Sequence, residues 1–182
     1  MSKHIAVIVG SLREGSDNRK LAQTLAGLAP EGMEFTFVGT GALPLYNPDF
    51  DGNPPEEWTA FRNAVSRADA VLFVTPEYNR SVPASLKNAI DVGSRPYGES
   101  VWDGKPTAIA TGSPSGIGGF GANHHLRQSL VFLNAAPMHQ PEAYIGRLAD
   151  LFDDSGNVTN ADTKAFLANF MASFDAWIDK LS

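Results

Sequence analysis

An α/β fold built on a parallel sheet is predicted, because apolar runs alternate with helix-period patterns along the chain. The run at residues 70–74 is apolar at every position, which is typical of a parallel strand covered by helices on both faces. Three polar loops, at residues 10–18, 75–81 and 111–119, each follow an apolar run. Open α/β sheets bind ligands at the carboxyl ends of their strands, so these loops predict one shared ligand site.

The first half of the chain contains three predicted strands and two predicted helices. The strands are expected at residues 4–9, Met33–Val38 and 70–74. The first helix, at residues 17–28, carries leucines at helical spacing. The second helix opens at residue 54 with prolines and acidic residues in its first turn, as the helix dipole prefers. Between them, the prolines and Asn/Asp of residues 43–50 indicate an irregular segment.

The second half of the chain continues the alternation. The third helix begins at residue 82, with apolar residues recurring at helical spacing, and a strand follows at residues 106–110. A fourth helix is expected at residues 122–134, a short fifth strand at residues 136–140 and a last helix at residues 162–181. We therefore expect a sheet of five parallel strands with helices on both faces.

Composition excludes several classes of protein. The 182 residues suit one well-buried core, so residues 1–182 are expected to form a single domain. The formal net charge of -6 argues against nucleic acid as a partner. The absence of cysteine excludes disulfides, thiolate catalysis and iron–sulfur clusters. No run approaches the roughly 20 apolar residues of a membrane span. The amino-terminal residues enter the first strand directly, so a cytoplasmic protein is expected.

The first polar loop has the composition of an anion-binding turn. Residues 10–18 follow the first strand, precede the first helix and include Ser11, Arg13, Ser16 and Asn18. Backbone amides, hydroxyls and a guanidinium at the positive end of a helix dipole are suited to a phosphate. The loop is neither GxGxxG, which would suggest a dinucleotide, nor GxxxxGK[ST], which would suggest a nucleoside triphosphate.

Four motifs together carry a family resemblance. They are Gly-Ser-Leu-Arg at residues 10–13, Leu-Pro-Leu-Tyr at residues 43–46, Thr-Pro-Glu-Tyr-Asn-Arg-Ser-Val-Pro at residues 75–83 and Leu-Lys-Asn-Ala-Ile-Asp at residues 86–91. In this order the chain resembles the NADPH-dependent FMN reductase family, and within it the bacterial quinone, chromate and azo-dye reductases. The resemblance implies a flavodoxin-like three-layer sandwich with strand order 2-1-3-4-5.

The resemblance also implies an FMN site in the three loops. The residues expected to contact FMN are Ser11, Arg13, Ser16 and Asn18 at the phosphate, Pro76, Glu77, Tyr78 and Asn79 at the isoalloxazine ring, and Ser113 and Gly116 near the ring and ribityl chain. A Tyr can form an apolar wall along the ring with a polar tip. The chain departs from relatives that commonly carry an aromatic residue at Val92 or an Arg within residues 120–122.

The implied activity is that of an FMN-dependent NAD(P)H oxidoreductase. Hydride passes from NADPH or NADH through bound FMN to quinones or similar acceptors, such as azo dyes, chromate or free flavin, in a ping-pong order. The flavin carries the chemistry, so no catalytic side chain and no metal ligand is expected. A homodimer or a dimer of dimers is expected, because an open pocket often needs a second wall. The alternatives are a flavodoxin-like electron carrier and a non-catalytic FMN-binding protein.

Several of these residues also have a plainer interpretation. Ser11, Ser16 and Asn18 could serve only as turn and helix-cap residues, and the glycines of residues 112–119 could serve only a tight turn. Glu77 could be a catalytic acid, a residue of the ligand loop or an interface residue. The adjacent His124 and His125 point apart on a helix, which favours surface or interface histidines over a metal pair.

Overall fold

Strands and helices alternate along the chain in the computed structural model, which describes residues 2–153 and 155–182. The regular elements are β1 (Lys3–Val9), α1 (Asp17–Gly27), β2 (Met33–Val38), α2 (Glu56–Ser66), β3 (Ala70–Thr75), α3 (Ala84–Gly93), β4 (Pro106–Gly112), α4 (Phe120–Phe132), β5 (Ala136–Pro137), β6 (Ala143–Ile145) and α5 (Ala161–Leu181). Short 3-10 turns lie at Pro48–Phe50 and Leu148–Leu151. Within these residues no helix is both long and apolar enough to cross a bilayer.

The strands form one parallel sheet in the order β2-β1-β3-β4-β5, which confirms the predicted order. The central register pairs Val9 of β1 with Val74 of β3, and Thr75 of β3 with Thr111 of β4. One further backbone bond, from Gly10 N to Val74 O at 2.9 Å, carries the pairing past the end of β1. The three central strands therefore end at the same edge of the sheet, and the polar loops that follow them meet there.

The outer edge beside β4 differs from the single fifth strand predicted at residues 136–140. It consists of two short strands: β5 pairs with the start of β4, and β6 pairs with its end, so the sheet has six strands among the described residues. The physical reason lies in Pro137 and Pro141, which have no amide hydrogen to donate to a neighbouring strand. After the bond from Met138 N to Thr107 O at 2.7 Å, the chain leaves the sheet and rejoins it at Ala143.

The sheet is covered on both faces, as the apolar strands predicted. One face packs against α1 and α5, with Val7, Leu21 and Phe170 in a fully buried cluster. The other face packs against α2, α3 and α4, with Phe73 and Trp58 in a second buried cluster. Successive residues of a strand point to opposite faces, so each central strand contributes to both cores and its buried positions are mostly apolar.

The irregular segment between β2 and α2 is fixed by side chains rather than by regular pairing. Asn88 of α3 accepts from the Tyr46 amide at 2.8 Å and donates to the Pro44 carbonyl at 3.0 Å. Trp58 of α2 donates from its indole nitrogen to the same Pro44 carbonyl at 2.9 Å. The predicted absence of a regular element at residues 43–50 holds except for one 3-10 turn.

Candidate functional site

A cavity of about 460 Å³ lies at the carboxyl edge of the sheet, where the loops after β1, β3 and β4 meet. Eight of the predicted site residues line it, namely Ser11, Arg13, Ser16, Asn18, Pro76, Glu77, Tyr78 and Ser113. The remaining lining residues are Asp17, Gly112, Pro114, Leu148 and Ala149. The other two predicted site residues, Asn79 and Gly116, are not among the residues that line it.

The first loop combines a helix cap with an unpaired cation. The Ser16 hydroxyl accepts from the Arg19 amide at 3.2 Å and so caps α1, as the plainer interpretation proposed. The exposed Arg13 side chain makes no hydrogen bond or ion pair with the protein within the described ranges. Asp17 also lines the cavity, and Lys20 lies 3.0 Å from its carboxylate and offsets its charge. The guanidinium of Arg13 is therefore free to meet an anion at the start of α1.

Asn18 contributes a buried acceptor to the same cavity. Its side-chain nitrogen donates to the Gly112 carbonyl at 3.2 Å, which fixes the orientation of the amide. Its Oδ1 is buried and has no donor among the residues that the structure describes. A phosphate offers mainly acceptors, whereas a sugar-alcohol hydroxyl is a donor. Asn18 therefore suits the hydroxyl-bearing chain of a ligand better than its phosphate.

The second loop is a tight hairpin. Tyr78 and Ser81 exchange two backbone hydrogen bonds of 2.9 Å, and the two residues between them, Asn79 and Arg80, have φ values of 51° and 64°. Two consecutive left-handed residues are the signature of a type I′ turn. The Tyr78 amide is thus used within the protein. The amides of Glu77 and Asn79, which flank Tyr78, have no acceptor among residues 2–153 and 155–182 and are therefore available to a ligand.

The Glu77 side chain is engaged within the protein. Its Oε2 accepts from the Gly121 amide at 2.7 Å and the Ala122 amide at 3.2 Å, in the first turn of α4. Its Oε1 accepts from Arg80 at 2.7 Å. Both oxygens are therefore occupied by the protein, and Glu77 borders the cavity without a free acceptor directed at a ligand. Sequence reasoning missed this contact because the partners lie 44 and 45 positions along the chain.

The third loop is shaped by glycines that the turn itself requires. Gly118 and Gly119 have φ values of 66° and 78°, and a Cβ on Gly118 would lie 2.5 Å from the Tyr144 backbone. The Thr111 hydroxyl donates to the Gly118 carbonyl at 2.8 Å and holds the turn. The plainer interpretation thus accounts for these two glycines, while Ser113 lines the cavity.

Leu148 and Ala149 are lining residues that sequence reasoning missed. They begin the 3-10 turn after β6, and Leu148 packs so closely on Gly112 that a Cβ there would lie 2.4 Å from a Leu148 methyl. No local motif marks this turn. Only its position after the outermost strand, at the same sheet edge, could have indicated it.

The two neighbouring histidines make separate side-chain contacts, as their helical spacing predicted. His124 lies 3.0 Å from the Tyr144 hydroxyl through Nε2, with the Phe120 ring 4.2 Å from its own ring centre. His125 lies 2.7 Å from the Ser81 hydroxyl through Nδ1. Burial raises the pKa of Tyr144 to about 12, assisted by Glu142. In the described part of the chain, no group of three or more His, Asp or Glu could hold a metal.

The cavity fits FMN by four criteria. Its volume of about 460 Å³ falls in the usual range for cofactor pockets, roughly 300–1,000 Å³. Unpaired donors for a phosphate, at Arg13 and the start of α1, lie at one side. Tyr78, whose side chain is about half exposed, lies in the hairpin after β3 with the free amides beside it. Asn18 supplies an acceptor for a hydroxyl-bearing chain.

Comparison with known proteins places the chain beside flavoenzymes. Residues 4–150 match the sequence model of the family described as NADPH-dependent FMN reductase. A quinone reductase of Pseudomonas putida KT2440 is 58% identical over 175 residues, which cover 96% of this chain and 94% of that protein. A 2-hydroxy-1,4-benzoquinone reductase of a Burkholderia species is 48% identical over 178 residues, or 98% of this chain and 97% of that one.

A solved structure extends the similarity to the fold. FerB from Paracoccus denitrificans, described as a flavoenzyme NAD(P)H:(acceptor) oxidoreductase, superposes with a TM-score of 0.93 at 43% identity and covers 98% of both chains. Together with the sequence matches, this similarity confirms the resemblance drawn from the loop motifs and the flavodoxin-like architecture that it implied.

Proposed function

Because the chain belongs to the NADPH-dependent FMN reductase family, we propose that it reduces quinones with electrons from NAD(P)H, using FMN held in the cavity at the carboxyl edge of the sheet. The family and the relatives confirm an oxidoreductase that depends on FMN and NAD(P)H, as the sequence predicted. The choice of acceptor is supported by relatives named quinone reductase and 2-hydroxy-1,4-benzoquinone reductase. One observation carries the assignment of the site: the predicted phosphate loop and the predicted ring loop line the same cavity.

We propose that the residues of the first loop have separate roles in binding FMN. Arg13, Ser11 and the free amides at the start of α1 bind the phosphate, because they are unpaired donors at the positive end of a helix. Ser16 holds the helix start in place as its cap. Asn18 Oδ1 accepts from a ribityl hydroxyl, which would satisfy an otherwise orphaned buried atom.

The second loop would hold the ring. Bound FMN supplies the two-electron chemistry between nicotinamide and acceptor. The amides of Glu77, which lines the cavity, and of Asn79, next to the lining Tyr78, would donate to the pyrimidine edge and would stabilise negative charge there. Tyr78 lines the cavity, where it would pack beside the ring and exclude water from that side. Nicotinamide and quinone are both planar and would both need the exposed face of the FMN ring, so they would bind one after the other, which predicts ping-pong kinetics.

The test is an absorbance experiment on the purified protein. We expect a yellow protein, or a colourless one that takes up FMN and quenches its fluorescence. Its visible absorbance should bleach with NADPH without oxygen and return on addition of benzoquinone, with steady-state turnover. Bleaching without quinone turnover would favour an electron carrier, and FMN uptake without bleaching would favour a non-catalytic binding protein. Failure to bind FMN at all would contradict the proposed site.

Assembly and compartment follow as secondary proposals. We infer a single domain over residues 1–182 that forms a homodimer or a dimer of dimers. Large apolar side chains that are well exposed in one chain, among them Leu45, Tyr97 and Phe132, support this assembly. Sedimentation of a fully active monomer would contradict it. A cytoplasmic enzyme that binds neither nucleic acid nor membrane is proposed, with the net charge of -6 as support, and cell fractionation tests the compartment.

A further inference from the structure

We infer that Glu77 is a positioning residue, which fixes the ring loop to the first turn of α4 and thereby sets the place of the two free amides beside it. The inference rests on the proposed function and deepens it, because those amides are the donors assigned to the pyrimidine edge. Glu77 acts through its neighbours, since neither of its own oxygens is free for a ligand.

Glu77 makes several hydrogen bonds that are largely shielded from solvent. Its side chain is only 11% exposed, although it lies on a surface loop, and it holds three donors within 2.7–3.2 Å. Two of these donors are backbone amides of α4 and the third is the Arg80 guanidinium from the same hairpin. One carboxylate therefore joins both ends of the hairpin turn to a helix that follows a different strand.

The helix end at α4 depends on this carboxylate. The residue before α4, Gly119, has no side chain and so caps none of the free amides of the first turn. Glu77 takes that place from another loop, and its negative charge complements the positive end of the helix. Gly121 makes the approach possible: a Cβ there would lie 3.0 Å from Oε2 and 3.2 Å from the Arg80 carbonyl.

The same contacts offset the negative charge that Glu77 brings close to the ring. A free carboxylate next to the ring would oppose the negative charge that a flavin gains on reduction. Here that charge faces Arg80 at 2.7 Å and the amino end of α4, which offset it. Glu77 can thus order the loop without raising the cost of electron uptake.

The experiment compares Glu77→Ala and Glu77→Gln with a matched cap variant elsewhere, Asn160→Ala. Asn160 caps α5 by accepting from the Thr163 amide at 2.8 Å and does not line the cavity. The readout is FMN binding to the apoprotein, followed by fluorescence quenching, with thermal unfolding in parallel. We expect Glu77→Ala to weaken FMN binding about tenfold, because loss of a cap and of charged hydrogen bonds is of that order. Glu77→Gln keeps an acceptor oxygen and should stay within about threefold.

Asn160→Ala should lower the unfolding temperature yet leave FMN affinity unchanged. Glu77→Ala that binds FMN as tightly as wild type would overturn the inference and leave Glu77 as a cap alone. If Glu77→Ala does not fold, Gly121→Ala serves as the test, because it keeps the Glu77 carboxylate but crowds its Oε2. Gly121→Ala should weaken FMN binding several-fold. Unchanged binding would overturn the inference. A wild-type protein that fails to bind FMN contradicts the proposed function instead, so the two failures are distinguishable.

Discussion

The Arg13 guanidinium lies at the cavity without an acceptor among residues 2–153 and 155–182, so its removal tests the phosphate assignment directly. Hydrogen bonds to charged groups contribute roughly 1.5–3 kcal/mol, so Arg13→Ala should weaken FMN binding about tenfold to a hundredfold. Arg19→Ala is the matched control, because Arg19 covers the Phe37 ring and does not line this cavity. Titration of both apoproteins with FMN measures the difference; equal affinities would remove Arg13 from the site.

Ionisation of Tyr144 should make the folding stability fall at alkaline pH. Burial, with help from Glu142, raises its pKa to about 12, while Arg127 acts in the opposite direction. In the unfolded chain the hydroxyl ionises near pH 10, so between about pH 10 and pH 12 the folded state holds a proton that the unfolded state has lost. Stability from this group is complete below pH 10 and is lost as the pH rises through that window.

Tyr144→Phe should therefore flatten the fall in unfolding free energy between about pH 10 and pH 12. Tyr97→Phe is the control, because Tyr97 is 92% exposed. Urea unfolding of the three proteins at several alkaline pH values measures the slopes. A wild-type slope retained in Tyr144→Phe would show that other groups cause the alkaline loss.

At the scale of elements, two helical glycines of opposite character allow a paired test of packing. A Cβ on Gly93, at the end of α3, would lie 2.5 Å from the Trp102 ring, whereas a Cβ on Gly27, at the end of α1, meets no atom within 4 Å. Gly93→Ala should destabilise by about 1–3 kcal/mol through overpacking. Gly27→Ala should be neutral or should stabilise by up to about 1 kcal/mol. Denaturant unfolding of both variants checks the sign, and equal effects would contradict the described contact.

The sequence predicted elements best where one local signal dominated. Ser16 fixes the start of α1 as its cap, and the apolar run of β3 ends within one residue of its expected end. The strand predicted at residues 136–140 was wrong in extent: Pro137 ends β5, and after Pro141 the chain rejoins the sheet as β6 at Ala143. α4 starts at Phe120, earlier than predicted, since Glu77 supplies the cap from another loop. A contact that spans 44 positions leaves no periodic trace in one sequence.

At the scale of the whole molecule, most of the candidate site could be predicted because parallel pairing brings the ends of β1, β3 and β4 to one edge. That reasoning placed Ser11, Tyr78 and Ser113 together, as they are. It could not predict which atoms of these residues are free to bind a ligand. The Tyr78 amide is used within its own turn, and Leu148 reaches the cavity through packing on Gly112 rather than through any motif.

Binding at this edge should stabilise the entire fold. A ligand at 100 times its dissociation constant adds about 2.7 kcal/mol. For a chain of this size each kcal/mol raises the unfolding temperature by about 2–4 °C, so FMN should raise it by about 5–10 °C. Riboflavin, which lacks the phosphate, should have a much smaller effect at the same concentration. Thermal unfolding with each ligand measures this, and equal shifts would show that the phosphate is not bound.

The divided strand at the border of the sheet also bears on how the protein behaves in a crowded solution. An intact terminal strand is a template on which a stray polypeptide can add its own strand, the first step towards aggregation. Here β5 and β6 are two and three residues long, and prolines stand in and between them. An incoming chain therefore finds no continuous row of donors on that side, and replacing both prolines with alanine should make the protein more prone to precipitate on heating.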